Sequence, residues 1–135
     1  MQSWGAHGGA TIHTATHFGS PPACAAALAT LDALEEGKLA ARAEAVGARW
    51  QERLREATAG HGVWSVRGRG FMVGVALEGG APRAQSVLRR LLRMGYLVLT
   101  GGAHADVLTL TPPLTIDEAL LDAFATALRD ALDPR

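Results

Sequence analysis

The sequence predicts an α/β fold, two helices followed by a β-β-α-β-β-α unit, and three patterns carry that prediction. From Lys38 to about Thr58, Leu39, Ala43, Val46, Trp50, Leu54 and Ala57 recur at three- and four-residue steps, the stripe of an amphipathic helix. The period then changes to two, with Phe71, Val73, Val75 and Leu77 alternating along a strand. Near the C-terminus Leu120, Phe124, Leu128 and Leu132 restore an i+4 row.

The elements follow in order. Residues 1–20 read as loop, punctuated by Gly5, Gly8, Gly9 and Gly19. Pro21 and Pro22 after Ser20 suit a helix start, since serine caps and proline tolerates the first turn. The Ala- and Leu-rich run from Ala23 to Leu34 is apolar almost all round, so this helix is expected to be buried, against a surface the rest of the chain does not offer. The long helix beginning at Lys38 stops at Gly60-His61-Gly62. Val63–Val66 and Phe71–Leu77 read as strands around Arg67-Gly68-Arg69-Gly70. A helix is predicted over Arg83–Met94 with Val87, Leu88, Leu91 and Leu92 inward, then strands over Tyr96–Leu99 and Val107–Leu110. The last helix opens on an apparent capping box, Thr115 as N-cap with Glu118 three residues on and Leu114 as staple. Three regions result: 1–36, a loop and buried helix ending a larger domain; 37–59, a connecting long helix; and 60–135, a small α/β domain.

Composition narrows the function. Of the 135 residues 48% are apolar and 19% charged, as in a globular protein. Lys+Arg and Asp+Glu balance at 13 each, which gives no electrostatic ground for a nucleic-acid or membrane partner. No apolar run reaches the roughly 18–20 residues of a membrane span, and the first residues lack the pattern of a signal peptide. Cys24 is the single cysteine, so no internal disulfide forms and a cytoplasmic setting is expected. Lys38 is the only lysine beside 12 arginines.

Several candidate sites weaken on inspection. His13 and His17 are four apart, but no glutamate stands between them and glycines flank them, so metal binding is not expected. Gly68-Arg69-Gly70 through Gly74 misses the dinucleotide spacing and leads into a strand, which favours a tight turn. Cys24 within the Ala-rich helix reads as a small buried hydrophobe. His104 and Asp106 read as a solvated loop. The segment His13 to Ala25 stands apart. Its hydroxyls and the backbone N–H groups opening a helix make an anion site, phosphate above all, or else a simply capped helix start.

This segment resembles the Thr-(aromatic)-x-Gly-Asn-Pro-x-Ala-Cys-Ala-Ala-Ala motif of class III aminotransferases, pyridoxal-phosphate enzymes of fold type I. Val66-Arg-Gly-Arg-Gly-Phe-Met-Val-Gly74 resembles the family's Arg-Gly-x-Gly-Leu-Met-x-Gly strand entry, and Leu110-Thr-Pro-Pro-Leu-Thr-Ile116 resembles its Pro-Pro-Leu-x-Ile segment. The blocks occur in family order and span nearly the whole chain.

The resemblance implies the C-terminal part of a fold type I transferase with pyridoxal 5′-phosphate as cofactor, acting on an amino donor and a keto acid. It implies a homodimer in the complete enzyme, in which Thr16 holds the cofactor phosphate across the dimer interface, flanked by His17 and Ser20 where the family has an aromatic residue and asparagine. The Schiff-base lysine and the acid that pairs with the pyridinium nitrogen lie upstream in the family, and Lys38 does not match that lysine. The chain is therefore expected to be inactive by itself, needing a large domain or subunit. Thr109 stands where acetylornithine, ornithine and 4-aminobutyrate enzymes carry an arginine for a substrate carboxylate, which weakens those substrate assignments. The alternative is a non-catalytic relic or interaction module that keeps the small-domain fold.

Overall fold

The computed structural model describes residues 16–17 and 19–133. The chain divides after Gly37 into two units. In the first, alanine and leucine propensity builds α1 (Pro21–Glu36), with Ser20 at the N-cap and prolines in the first turn. The Gly37 N–H closes its end on Ala33 O at 3.1 Å. None of its residues is buried. Cys24, expected as a buried hydrophobe, is exposed, because no other described element of this unit packs on its helix.

The second unit contains α2 (Leu39–Thr58), β1 (Val63–Arg69), β2 (Met72–Leu77), α3 (Gly80–Arg93), β3 (Leu99–Gly101), β4 (Val107–Leu110) and α4 (Glu118–Leu132). The strands form one antiparallel sheet in the order β1-β2-β4-β3. Its inner face, with Val66, Val73, Val75, Leu108 and Leu110, shares one buried core with Ala43, Val46, Trp50 and Leu54 of α2, Val87 and Leu91 of α3, and Leu121, Phe124 and Leu128 of α4. Leu54, Leu77, Leu91, Leu108 and Leu128 are fully enclosed, each worth about 2 kcal/mol of apolar transfer. Trp50 sits edge-on to Phe71 at 6.2 Å and donates its indole N–H to Leu121 O at 3.0 Å, so its polar end is satisfied inside the core.

The β1–β2 hairpin explains its glycines. Gly70 takes φ 54° in the two-residue turn between Arg69 and Met72, a conformation a side chain disfavours. Helix α2 lies directly on that turn. A Cβ on Gly47 would overlap the Gly70 carbonyl and approach its Cα to 2.8 Å, while Gln51 Nε2 donates to Gly70 O at 3.2 Å. The tight turn holds at Gly70-Phe71, but Arg67-Gly68-Arg69, expected between the strands, continues β1 beyond Val66 because it pairs with Gly74, Val73 and Met72.

Three boundaries move for physical reasons. The cap of α4 is Asp117, not Thr115: its Oδ1 accepts from Ala119 N–H at 2.9 Å. The turn closed by Ile116 N–H on Pro113 O holds Thr115 out of the helix, and Arg42 fixes that turn by donating to Leu114 O and Ile116 O, each at 2.6 Å. Glu118 therefore occupies the first helical position and pairs with Arg49 at 3.0 Å. The β3 strand starts at Leu99, because Tyr96 is drawn inward against Phe124 at 5.4 Å before pairing with Thr109 begins. Helix α3 starts at Gly80, three residues earlier than expected, after Gly79 in the left-handed region. Leu92, expected inward, is exposed, and so is Leu120, whose place in the core is taken by Leu121. No helix among the described residues is long and apolar enough to cross a membrane.

Two substitutions test this packing. Glycine to alanine normally stabilises a helix interior, yet Gly47→Ala should cost about 2 kcal/mol in urea unfolding, because the new methyl meets backbone. A gain in stability would show that α2 stands off the hairpin. Asp117→Ala should cost about 1 kcal/mol and Thr115→Ala close to nothing; the reverse order would restore Thr115 as the cap.

Candidate functional site

The first candidate lies in the first unit. Thr16 and His17 are exposed in a turn, and Ser20 follows, half-buried, at the N-cap of α1. The Ser20 N–H donates to His17 O at 3.1 Å and the Cys24 N–H to Ser20 O at 2.9 Å. The Ser20 hydroxyl makes no cap bond. Pro21 and Pro22 carry no N–H, so this helix start offers fewer amide donors than a helix normally does. Among the described residues, the Thr16 and Ser20 hydroxyls have no hydrogen-bond partner and the Ala23 N–H has no backbone partner. Helix polarity favours an anion there, although the stretch from Thr16 to Glu36 contains no lysine or arginine. These groups fit a phosphate in kind, with part of its charge left to be met from elsewhere.

The second candidate is in the second unit. Thr109 on β4 is half-buried and belongs to the sheet face opposite the helices. Its hydroxyl lies over β3, where a Cβ on Gly101 would come to 2.7 Å from Thr109 Oγ1. At that end of the sheet opens a groove of about 690 Å³, lined by Trp50, Tyr96, Leu97, Pro113, Leu120 and Phe124 beside Leu99 and Thr109. No acid, histidine, lysine or arginine lines it, so its chemistry is apolar contact, with the Thr109 and Thr111 hydroxyls at the margin. The sequence offered only a weak signal for this groove, Leu120, which heads the buried i+4 row but itself turns outward.

The remaining residues of interest are dispersed. Lys38 is exposed at the N-cap of α2 with φ 48°. His104 is exposed, and near it Asp106 O accepts from Leu77 N–H at 2.9 Å, a structural contact at the strand end. His13 lies outside the described residues, so its pairing with His17 has no structural description. No group of three metal-ligating side chains occurs among the described residues.

The comparisons with known proteins agree with one another. The class III aminotransferase family model matches residues 1–132. The chain is 41% identical to the 5-aminovalerate aminotransferase DavT of Pseudomonas aeruginosa over 126 residues, covering 87% of this chain and 30% of that protein. It is 41% identical to the acetylornithine aminotransferase of Mycobacterium bovis over 122 residues, covering 90% of this chain and 29% of that protein. Among solved structures, a transaminase studied by directed evolution through ancestral reconstruction superposes with a TM-score of 0.80 at 32% identity, covering 92% of this chain and 29% of that one. The chain thus spans about 30% of the length of the curated relatives it matches. Class III aminotransferases such as these are pyridoxal-phosphate enzymes, and their structural neighbours share the small α/β architecture described above. With residues 1–132 matched, the chain belongs to the class III aminotransferase family.

Proposed function

We propose that these residues serve a pyridoxal-phosphate transaminase that moves an amino group from an amino donor to a keto acid, as its small domain together with one cofactor-contacting segment. The observation that carries this reading is the family match over residues 1–132, alongside relatives more than three times as long. A large domain, on this or another polypeptide, would supply the lysine and the acid facing the pyridinium nitrogen. It would also cover the apolar face of α1, where Leu28 and Leu31 are exposed. By itself the unit of 135 residues is inactive under this proposal, since the lone Lys38 is an exposed helix-start residue.

Pyridoxal 5′-phosphate, when bound, supplies an electron sink that lets a proton leave the amino-bearing carbon of the substrate. The chain's own share is binding. The Thr16 hydroxyl donates to the cofactor phosphate across the interface of a homodimer, Ser20 adds a second hydroxyl, and the α1 N-terminus adds its dipole. His17 flanks the phosphate, where a ring N–H can donate to it. The names of the relatives point to ω-amino acids and acetylated diamino acids as donors. The threonine at position 109 favours a donor whose carboxylate, if present, is held elsewhere.

Complementation tests the reading. The chain, combined with a lysine-bearing large domain of a class III enzyme, should transfer the amino group of 5-aminovalerate or N-acetylornithine to 2-oxoglutarate; alone it should transfer none. Failure across a range of large domains and donors would leave the non-catalytic interaction module as the better reading. In the active assembly, Thr16→Ala should weaken retention of pyridoxal 5′-phosphate about tenfold, the value of a lost charge-assisted hydrogen bond. Unchanged retention would remove Thr16 from the phosphate site.

A further inference from the structure

The arginines of the second unit differ in what they meet. Arg42, Arg83 and Arg90 donate to backbone carbonyls of distant segments. Arg49, Arg53, Arg55 and Arg129 pair with carboxylates. Arg89 and Arg93 of α3 do neither among the described residues, and both are exposed. Arg67 and Arg69 on β1 are unpaired as well, but only on α3 do two such charges stand one helical turn apart.

Helix stability does not account for that pair. Residues four apart share one face of a helix, about 6 Å from each other, and like charges there repel. Arg93 lies in the last turn, where the helix dipole favours a cation, but Arg89 precedes that turn. Helix α3 contains no acid, and none stands anywhere between Glu78 and Asp106. The charge is therefore uncompensated along its own stretch. Beside it lies apolar surface. Leu92 is exposed next to Arg89, three residues on, and Met94 and Leu97 are exposed just beyond the helix, Leu97 to 88%. Gln85, also exposed, extends the row one turn before Arg89. Leu97 in turn forms one wall of the apolar groove.

We propose that the exposed face of α3, from Gln85 to Leu97, docks an acidic amphipathic helix of another protein. Two carboxylates four residues apart on such a helix complement Arg89 and Arg93, and apolar side chains between them cover Leu92, Met94 and Leu97. Arginine and methionine beside an apolar patch are the composition of a reversible interface, whereas a permanent contact resembles a core. An anionic bilayer is the poorer fit. Lipid surfaces recruit clusters of about four or more cations, and this face offers two without a partner. The groove beside Leu97 is concave, and Asp117 and Glu118 stand between its lining residues Ile116 and Leu120. Docking on α3 does not rest on the transaminase reading.

The test uses the ¹⁵N-labelled 135-residue chain, titrated with a peptide of about 15 residues that carries glutamates four apart with leucines between them. Saturable amide shifts should be confined to the segment from Gln85 to Leu97. Joint replacement Arg89→Gln and Arg93→Gln should weaken binding about tenfold, and so should raising the salt from about 0.05 M to about 0.5 M. Arg129→Gln, at an exposed arginine that already has an acid, should leave binding unchanged. Each variant is first checked for the wild-type amide spectrum. Equal binding of the same peptide with glutamine in place of glutamate would overturn the proposal, as would shifts elsewhere on the surface or indifference to the double replacement. Vesicles of phosphatidylserine and phosphatidylcholine should not bind; binding that depends on Arg89 and Arg93 would make the face a lipid surface and overturn the proposal too. Addition of a lysine-bearing large domain should leave the peptide bound, and displacement would assign the face to that domain instead of a separate protein. Because no step needs cofactor or turnover, failed complementation with intact peptide binding would refute the transaminase reading alone, and the converse would refute docking on α3 alone.

Discussion

The second unit is organised around a backbone-to-backbone contact between α2 and the β1–β2 turn. Gly47 on the helix and Gly70 in the turn meet with no room for a methyl group between them. That approach seats α2 low on the sheet, and its neighbours depend on it. Gln51 reaches the Gly70 carbonyl, Trp50 meets the edge of Phe71, and the Arg42 guanidinium lies 5.6 Å from the Phe71 ring centroid. From there Arg42 donates to the carbonyls of the Pro-Pro turn, which sets where α4 begins. One close contact thus links the hairpin, the long helix and the last helix.

The same arrangement leaves the sheet one-sided. All three helices of this unit share the core with the inner face. On the outer face the sequence uses small side chains at Gly74, Ala76, Ser65 and Gly101, and two arginines at one edge. The same face carries Thr109, Val107 and the exposed Met72 and Leu99, so its two arginines stand among small and apolar residues with no acid at the paired positions. The first unit contributes different chemistry, two hydroxyls without a partner among the described residues and a helix start that lacks two amides because of consecutive prolines. The α1 sequence combines high helix propensity with apolar residues on every side, a design for burial against other protein.

Much of the fold was legible in the order of residues. The stripe from Leu39 to Ala57 appears as α2, and the order of elements is as expected. Family membership was legible as well, because Thr16 to Ala25, Val66 to Gly74 and Leu110 to Ile116 are local signatures of turns and caps. The misplacements have a common cause. Thr115 looked like the cap because Glu118 stood three residues on, but Arg42, far away in the chain, holds the preceding turn out of the helix. Tyr96 looked like the start of a strand, but a core partner on α4 draws it inward. Leu120 and Leu121 are adjacent, and only the packing of α4 against its neighbours selects which one is buried.

By itself, then, the sequence determined most of the elements, the turn glycines and the family, because each is encoded within a short window by periodicity, backbone conformation or local motif. Tertiary structure decided which surfaces are free. Arg67 is one arginine among twelve in the sequence. Only the sheet order places it in one row with Gly74, Thr109 and Leu99. The physical reason is that strand register joins residues distant in the chain, and whether a charge has a partner is a property of that register and not of the residues beside it.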